Sequence, residues 1–159
     1  KLAAKKLRKL LYRARAMTLG QRNSMRNEYY WFSRQPHKQY RLGLERVKAG
    51  EKSSYYSQGV GAEQVAKNYA LRGRKALCLR WAKKSEKAWL NYFKVMPDWY
   101  NSYLFYAASL GYQGKIAEMD KAFATGAKIA GKTKKWKEIV HHRKEVMHVR
   151  NLLESSSRA

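Results

Sequence analysis

The chain has 159 residues, the size of one ordinary domain, and 45% of them are apolar and 13% aromatic. This share of large side chains excludes a simply disordered chain, because it is enough to bury a core. Lysine and arginine total 35 against 11 acidic residues, a formal net charge of +24. Such an excess predicts a polyanionic partner, and we favour nucleic acid over an acidic membrane surface or an acidic protein.

The single cysteine, Cys78, excludes an internal disulfide and a tight zinc site made of cysteines, which indicates a reducing compartment. Its neighbours Leu77 and Leu79 predict a buried thiol. No run approaches the roughly 20 apolar residues that span a bilayer, and no apolar stretch follows the basic start as a secretory signal requires. We expect no transmembrane segment. The first residue is Lys1, so a removed leader and import into an organelle are open expectations.

The first segment of the chain is basic and has helical periodicity. One apolar stripe runs through residues 1–17 and consists of Ala3, Leu7, Leu10, Ala14 and Met17. No acidic residue precedes Glu28. Basic helices that lie on membranes and removable targeting peptides share this appearance, so both interpretations stay open. We predict a helix over residues 1–17 within a basic N-terminal arm, residues 1–35.

The next elements are separated by proline and glycine. Pro36 follows a short element at residues 21–34, because proline disfavours helical geometry in the residue before it. The spacing after it predicts a helix that stops near Gly50. Residues 53–61 contain two glycines and are predicted to form a connecting loop.

The following stretch, residues 62–96, has almost no breaker except Gly73, which predicts two helices that meet there. Asp98 can accept the free amide protons at the start of the next helix, so we predict that it caps that helix. Gly111 and Gly114 are predicted to end it.

The last part of the chain predicts two more helices. One begins near Lys115 and stops near Gly131, which makes residues 98–130 a helical hairpin. The other covers residues 134–153, and the tail after it, residues 155–159, is expected to fray. The predicted organisation is therefore an arm at 1–35 and a helical domain at 36–154.

The sequence contains an internal repeat. A shift of 34 residues pairs Tyr69 with Tyr103, Gly73 with Ala107, Trp89 with Phe123 and Pro97 with Gly131. Helical-hairpin repeats need a small residue where the helices touch, an aromatic residue in the second helix and a breaker at the end, and both copies supply all three.

Over residues 69–131 the chain resembles the tetratricopeptide and pentatricopeptide repeat families. The resemblance is clearest at Tyr103, Tyr106, Ala107, Leu110, Gly114, Ile116, Met119, Phe123 and Gly126. It implies an all-α fold, a short stack of antiparallel helical hairpins. Pentatricopeptide proteins can read single-stranded RNA through a polar residue just after the first aromatic one. Here that position is Leu104, which argues against base-by-base reading.

Basic residues fall into three blocks that have few acids near them. The predicted RNA-binding residues are Lys5, Lys6, Arg8, Lys9, Arg13, Arg15, Arg22 and Arg26 in the arm, Arg72, Arg74, Lys75, Arg80, Lys83 and Lys84 in the second block, and Lys132, Lys134, Lys135 and Lys137 in the third. A single block is ordinarily a solvated helix face, but three blocks favour phosphate binding that weakens steeply with salt. The aromatic clusters at residues 29–32 and 55–56 could stack on bases, although core packing is the favoured interpretation.

The sequence shows no catalytic constellation. Glu118 and Asp120 form the only close acid pair, and at a separation of two they point to different sides of a helix. His141, His142 and His148 have no cysteine or paired carboxylate nearby, so we expect them on the surface or facing phosphate. No glycine pair is followed by the lysine and the serine or threonine with which a phosphate-binding loop ends. We expect no enzyme, no metal, no cofactor and no small-molecule substrate.

These features together favour a structural ribosomal protein of the mitochondrial matrix. Its basic arm would enter rRNA, and its helical hairpins would contact neighbouring ribosomal proteins. A location in the cytoplasm or nucleolus is the alternative. One other function is a helical-repeat adaptor in an RNA-processing or assembly complex, whose binding should tolerate salt better. Another is a basic accessory subunit of a respiratory membrane complex, held at the membrane surface by residues 1–17.

Overall fold

The structure is a computed structural model that describes residues 19–33, 35–131 and 136–155. These residues form seven α-helices and no strand, which confirms the all-α fold class. The helices are α1 (Leu19–Phe32), α2 (Pro36–Ser53), α3 (Tyr55–Ala70), α4 (Lys75–Phe93), α5 (Tyr100–Gln113), α6 (Ile116–Ala130) and α7 (Trp136–Ser155). The helix predicted at residues 1–17 lies outside the described residues.

The chain divides into two compact units, and the boundary lies between Leu42 and Gly43, inside α2. In the first unit, the side-chain amide of Gln39 donates to Asn27 Oδ1 at 3.2 Å and joins α2 to α1. The Lys38 ammonium lies 5.8 Å from the centre of the Tyr30 ring. The second unit contains the rest of α2 and the five helices that follow. The domain boundaries expected from the sequence stay predictions.

The core of the second unit is shared by α3 to α7. Its fully or nearly fully buried side chains include Ala66, Cys78, Ala82, Leu104, Ala107, Leu110, Tyr112, Met119, Phe123, Val146, Val149 and Leu153. Small residues are frequent in this set because they let neighbouring helix backbones approach closely. Leu104 is buried and belongs to this core.

Successive helices of this unit pack against each other in opposite directions. The Ser85 hydroxyl of α4 donates to the Gly59 carbonyl near the start of α3 at 2.9 Å. In the next pair, the backbone of Gly126 near the end of α6 lies against Tyr103 near the start of α5. The last helix, α7, packs on α3, α5 and α6. The identity of the repeat, tetratricopeptide-like or pentatricopeptide-like, stays a prediction.

The prediction of a loop at residues 53–61 is wrong, because α3 begins at Tyr55. The Ser54 side chain accepts a hydrogen bond from the Ser57 amide and caps the helix. A Cβ at Gly59 would lie 2.5 Å from the Trp89 ring, and one at Gly61 would lie 2.6 Å from the Gly43 carbonyl. These glycines therefore allow close helix packing and do not break the helix.

The other turns were predicted more accurately. Gly73 lies in the turn between α3 and α4 with φ 66°, and Gly114 ends α5 with φ 86°, a conformation that favours glycine. Gly111 instead lies inside α5, where a Cβ would be 2.5 Å from Val146. Asp98 does not cap α5, because the helix begins two residues later and Trp99 occupies the cap position without a side-chain hydrogen bond.

Candidate nucleic-acid interface

The solvent-facing side of α4 carries a line of cations. Arg80, Lys83, Lys84, Lys87 and Lys94, here called the α4 stripe, are all exposed. Their separations of three, four and seven residues place them on one face of the helix. The opposite face of α4 is buried and carries Cys78, Ala82, Ser85 and Trp89. The stripe is thus fixed outward by the packing of its own helix.

Glu86 lies within the span of the stripe but does not neutralise it. Its carboxylate accepts hydrogen bonds from the Gln113 amide at 2.8 Å and from the Lys115 ammonium at 2.8 and 2.9 Å. Both partners belong to the end of α5 and the turn after it. No ion pair with an acid is found for Arg80, Lys83 or Lys87 within the part of the chain that the structure describes.

Other acids of the second unit are also engaged elsewhere. Asp120 accepts two hydrogen bonds from Arg143, at 2.8 and 3.0 Å, and this pairing lowers the pKa of the Asp120 carboxyl. Glu154 pairs with Lys75 at 3.0 Å and with Arg150 at 3.5 Å. Glu86, Asp120 and Glu154 are therefore each paired with cations that do not belong to the α4 stripe.

The structure brings together only part of the predicted second block. Arg72 and Arg74 are exposed in the turn before α4, and Lys75 is exposed at its first position, where it contacts Glu154. No acid lies in the first turn of α4, so these cations add to the positive end of the helix dipole. Lys84 lies 5.3 Å from the centre of the Trp81 ring.

The arm and the third block can be placed only in part. Lys5, Lys6, Arg8, Lys9, Arg13, Arg15, Lys132, Lys134 and Lys135 lie outside the described residues, and for Lys137 only the backbone in α7 is described. In α1, Arg22 is exposed. Arg26 is half-buried and donates to Asn23 Oδ1 at 3.4 Å. Lys87 and Lys94 were not among the predicted residues, although both belong to the α4 stripe.

The aromatic residues at 55–56 divide between core and surface. Tyr56 packs against Trp89, with ring centres 5.5 Å apart, and against Trp99 at 5.1 Å. This confirms the expected core packing for Tyr56, whereas Tyr55 is exposed. In the cluster at residues 29–32, the rings of Tyr29 and Tyr30 lie 5.7 Å apart.

A buried polar cluster joins α3, α5 and α7, and no pattern in the sequence predicted it. Glu63 is buried and accepts a hydrogen bond from the Tyr112 hydroxyl at 3.1 Å. One turn further along α3, Lys67 donates to the carboxylate of Glu145. His142 Nδ1 lies 3.8 Å from the other oxygen of Glu145. The cluster therefore ties the last helix to the centre of the unit.

Burial governs the proton affinities in this cluster. It raises the pKa of Glu63, and the nearby Lys67 and the Tyr112 hydrogen bond oppose this only in part. Burial, helped by the charge of Glu63, raises the pKa of the Cys78 thiol to about 12. The thiol is buried, as expected. For Glu145, burial is outweighed by Lys67 and the histidines, so its pKa is lowered.

The expectation that His142 lies on the surface is wrong. Its ring is half-buried and meets the rings of Phe105 and Phe123 nearly edge-on, at 6.0 and 6.4 Å. This burial lowers the pKa of His142 although Glu145 lies close by. His141 and His148 are exposed, as expected. Helical spacing could have identified His142, because it lies three residues after Ile139 and four before Val146, which are both buried.

Glu63→Gln should change the pH dependence of stability. A group whose pKa is raised by folding stabilises the fold below its unfolded pKa, and this contribution is lost as the pH rises through its folded pKa. The variant's free energy of unfolding should therefore increase relative to the unsubstituted chain as pH rises from about 4 to 8, by about 1.4 kcal/mol per unit of the pKa difference removed. Urea unfolding at successive pH values measures this difference.

The matched control is Glu118→Gln, which removes an exposed carboxyl from α6. His142 and Glu145 titrate in both proteins being compared, so the difference reports Glu63 together with its electrostatic interaction with Glu145. If the difference in free energy of unfolding between Glu63→Gln and the unsubstituted chain stays constant with pH, the role given to Glu63 is contradicted.

Within the described residues, three or more histidine, cysteine, aspartate or glutamate side chains nowhere come together as a metal would require. None of the described helices is both long and apolar enough to cross a membrane. Comparison of the chain with protein-family models, with curated proteins and with solved structures finds no match. The α4 stripe, with five exposed cations on one helix face, is the best-defined candidate interface.

Proposed function

We propose that this chain is a structural rRNA-binding protein, a component of a mitochondrial ribosomal subunit in the matrix. The observation that carries the proposal is the α4 stripe, which presents exposed cations while Glu86 is held by Gln113 and Lys115. Phosphate groups are the natural counterpart, because each neutralised phosphate releases condensed counterions and so favours binding.

The buried side of the unit supports a scaffolding role. A core shared by five helices and a polar cluster that ties α7 to α3 hold the stripe in one orientation. Because the helix backbone that carries these cations is already ordered, only their side chains lose conformational freedom on binding. Such a unit is suited to holding RNA in place, and the arm at residues 1–35 would add further phosphate contacts.

A helical-repeat adaptor is the second candidate function. Apolar side chains at the end of α4 favour it, since Leu90, Val95 and Met96 are 47%, 75% and 52% exposed. Exposed apolar groups that lie close together are common in protein-binding surfaces. In a ribosome the same residues would contact neighbouring ribosomal proteins. The third candidate, an accessory subunit of a respiratory membrane complex, depends on residues 1–17, which lie outside the described residues.

Sedimentation separates these functions. Mitochondrial lysate is run on sucrose gradients at about 50 mM and about 500 mM salt, with and without ribonuclease, and the protein is followed by mass spectrometry. The proposal predicts cosedimentation with a ribosomal subunit at low salt and its loss after ribonuclease digestion. Absence from ribosomal fractions at low salt would defeat the proposal. Cosedimentation that survives ribonuclease and high salt, with other proteins only, would favour the adaptor.

A further inference from the structure

We propose that the exposed face of α7 is a second phosphate-binding surface, and that it binds RNA when His141 and His148 are protonated. The surface consists of these two histidines and of Lys144 between them, and it is here called the α7 line. The inference rests on the proposed RNA-binding function and adds a second contact to it, so that one chain would hold two segments of RNA.

The α7 line points outward because the opposite face of its helix is buried. His141, Lys144 and His148 are all exposed, and their separations of three and four residues place them on one face. The other face carries the buried apolar side chains, which are Ile139, Val146, Val149 and Leu153. At 1.5 Å per residue the two histidines lie about 10 Å apart along the helix axis. Three hydrogen-bond donors can therefore face one RNA backbone.

The α7 line and the α4 stripe lie on different sides of the second unit. Each of the two helices packs against both α3 and α5. In the part of the chain that the structure describes, α4 and α7 do not pack extensively on each other, and they meet at one end, where Lys75 pairs with Glu154. The pair α3 and α5 therefore lies between them. Because the exposed face of each outer helix is turned away from this pair, each face can bind its own RNA segment.

The charged groups that face α7 from its neighbouring helices already have partners. They are Lys67 of α3, which binds Glu145, Glu63 of α3, which binds the Tyr112 hydroxyl of α5, and Asp120 of α6, which binds Arg143. Glu145 follows Lys144 in the chain and interacts electrostatically with His141. Its carboxylate is nevertheless bound by Lys67 on the α3 side of the helix. The outer face of α7 is thus left to the cations of the α7 line.

Histidine suits a contact whose strength depends on pH. The ordinary pKa of a histidine side chain is about 6.5, so it gains a positive charge as the pH falls from about 8 to about 5. A protonated imidazole donates from both ring nitrogens, and its hydrogen bond to a phosphate oxygen is assisted by charge. With neutral histidines, Lys144 alone carries charge in the α7 line. Because binding and protonation are linked, a bound phosphate keeps the histidines protonated at a higher pH than solvent does.

NMR of the histidine rings in the full chain tests the inference directly. The ring C–H signals of the four histidines are followed from about pH 5 to about pH 8, with and without saturating oligouridine, and single glutamine variants assign them. We expect RNA to move the titrations of His141 and His148 upward by about one pH unit, the lower end of the shift that a neighbouring opposite charge causes. His37, which is exposed in the first unit, is the internal control and should move much less.

Replacing both His141 and His148 with glutamine should remove the binding that acidification adds. Isothermal titration calorimetry of the unsubstituted chain should find one more oligouridine strand bound at about pH 5.5 than at about pH 8. The double variant should bind the same number at both, whereas His37→Gln, the matched control, should behave like the unsubstituted chain. Circular dichroism checks that the helices are kept at each pH.

The outcomes separate the inference from the proposed function. If bound RNA leaves the titrations of His141 and His148 unmoved, or moves that of His37 equally, the α7 line does not bind phosphate and the inference is overturned. An additional strand that the double variant still binds at low pH overturns it as well. In each of these cases the proposed function stands. A chain that binds no oligouridine at either pH overturns the proposed function itself.

Discussion

Replacing Arg80, Lys83, Lys84 and Lys87 with glutamine should weaken RNA binding by orders of magnitude and flatten its salt dependence. These four side chains are exposed on one face of α4. Each phosphate contact that is lost lowers the slope of log affinity against log salt by about 0.7 on a single strand and about 0.9 on a duplex. If all four contacts are made, the slope for oligouridine should fall by about 3. Anisotropy titrations between about 50 and 200 mM salt measure it.

The matched control carries the same change of charge on other helices. Lys48, Lys121, Lys128 and Lys144 are exposed on α2, α6 and α7, and glutamine there also removes four positive charges. Both variants should keep their helices, because fewer like charges mean less repulsion in the compact state. The control should retain most of the affinity and slope. If both variants lose them equally, binding depends on total charge, and the α4 stripe is not the interface.

The sequence predicted the helices well where one physical signal dominated. The all-α class followed from apolar residues at helical spacing. The turns at Gly73 and Gly114 followed from conformations that glycine adopts more readily than other residues, and both have positive φ in the structure. These features depend on residues close together in the chain, which is why a single sequence was sufficient.

Other glycines were misinterpreted because their role depends on distant residues. Gly59 meets Trp89, which is 30 residues away in the chain, and Gly61 meets the backbone of α2. In a sequence, a glycine that permits close packing looks like one that ends a helix. The error at Asp98 is one of position, because the cap falls one residue later, at Trp99.

The candidate interface was predicted in part for a similar reason. Residues up to Lys84 were found because they form an acid-free run, and the run ends at Glu86. Helical spacing would have extended the set to Lys87 and Lys94, since charge along a helix is organised by face rather than by run. The orientation of Glu86 toward Lys115 depends on packing between helices and had no signal in the sequence.

The buried polar cluster had no local signal at all. Glu63 and Tyr112 are 49 residues apart, and Lys67 and Glu145 are 78 apart. Each of these residue types is common on helix surfaces, so only the packing of α3 against α5 and α7 shows that they meet. A sequence-based search for close acid pairs found Glu118 and Asp120, which lie near each other in the chain.

The close approach of α2 and α3 leads to the largest expected effect on stability. A Cβ at Gly61 would lie 2.6 Å from the Gly43 carbonyl and 2.9 Å from the Val47 amide nitrogen. Both are backbone atoms, so no side chain can rotate away and the two helices would have to separate. The hydrogen-bonded contact between Ser85 and Gly59, two residues before Gly61, ties the same helix to α4 and limits how far it can shift.

Gly61→Val should therefore lower the free energy of unfolding by about 3 kcal/mol, the upper part of the usual range for overpacking. For a chain of this size that corresponds to a midpoint lowered by about 6–12 °C, measured by thermal unfolding followed by circular dichroism. The control is Gly126→Val, where the Cβ would lie 3.0 Å from the Tyr103 Cβ and 3.4 Å from the Tyr100 carbonyl. Its loss should be smaller, because these contacts are longer. Equal midpoints for the two variants would mean that α2 and α3 can separate at little cost.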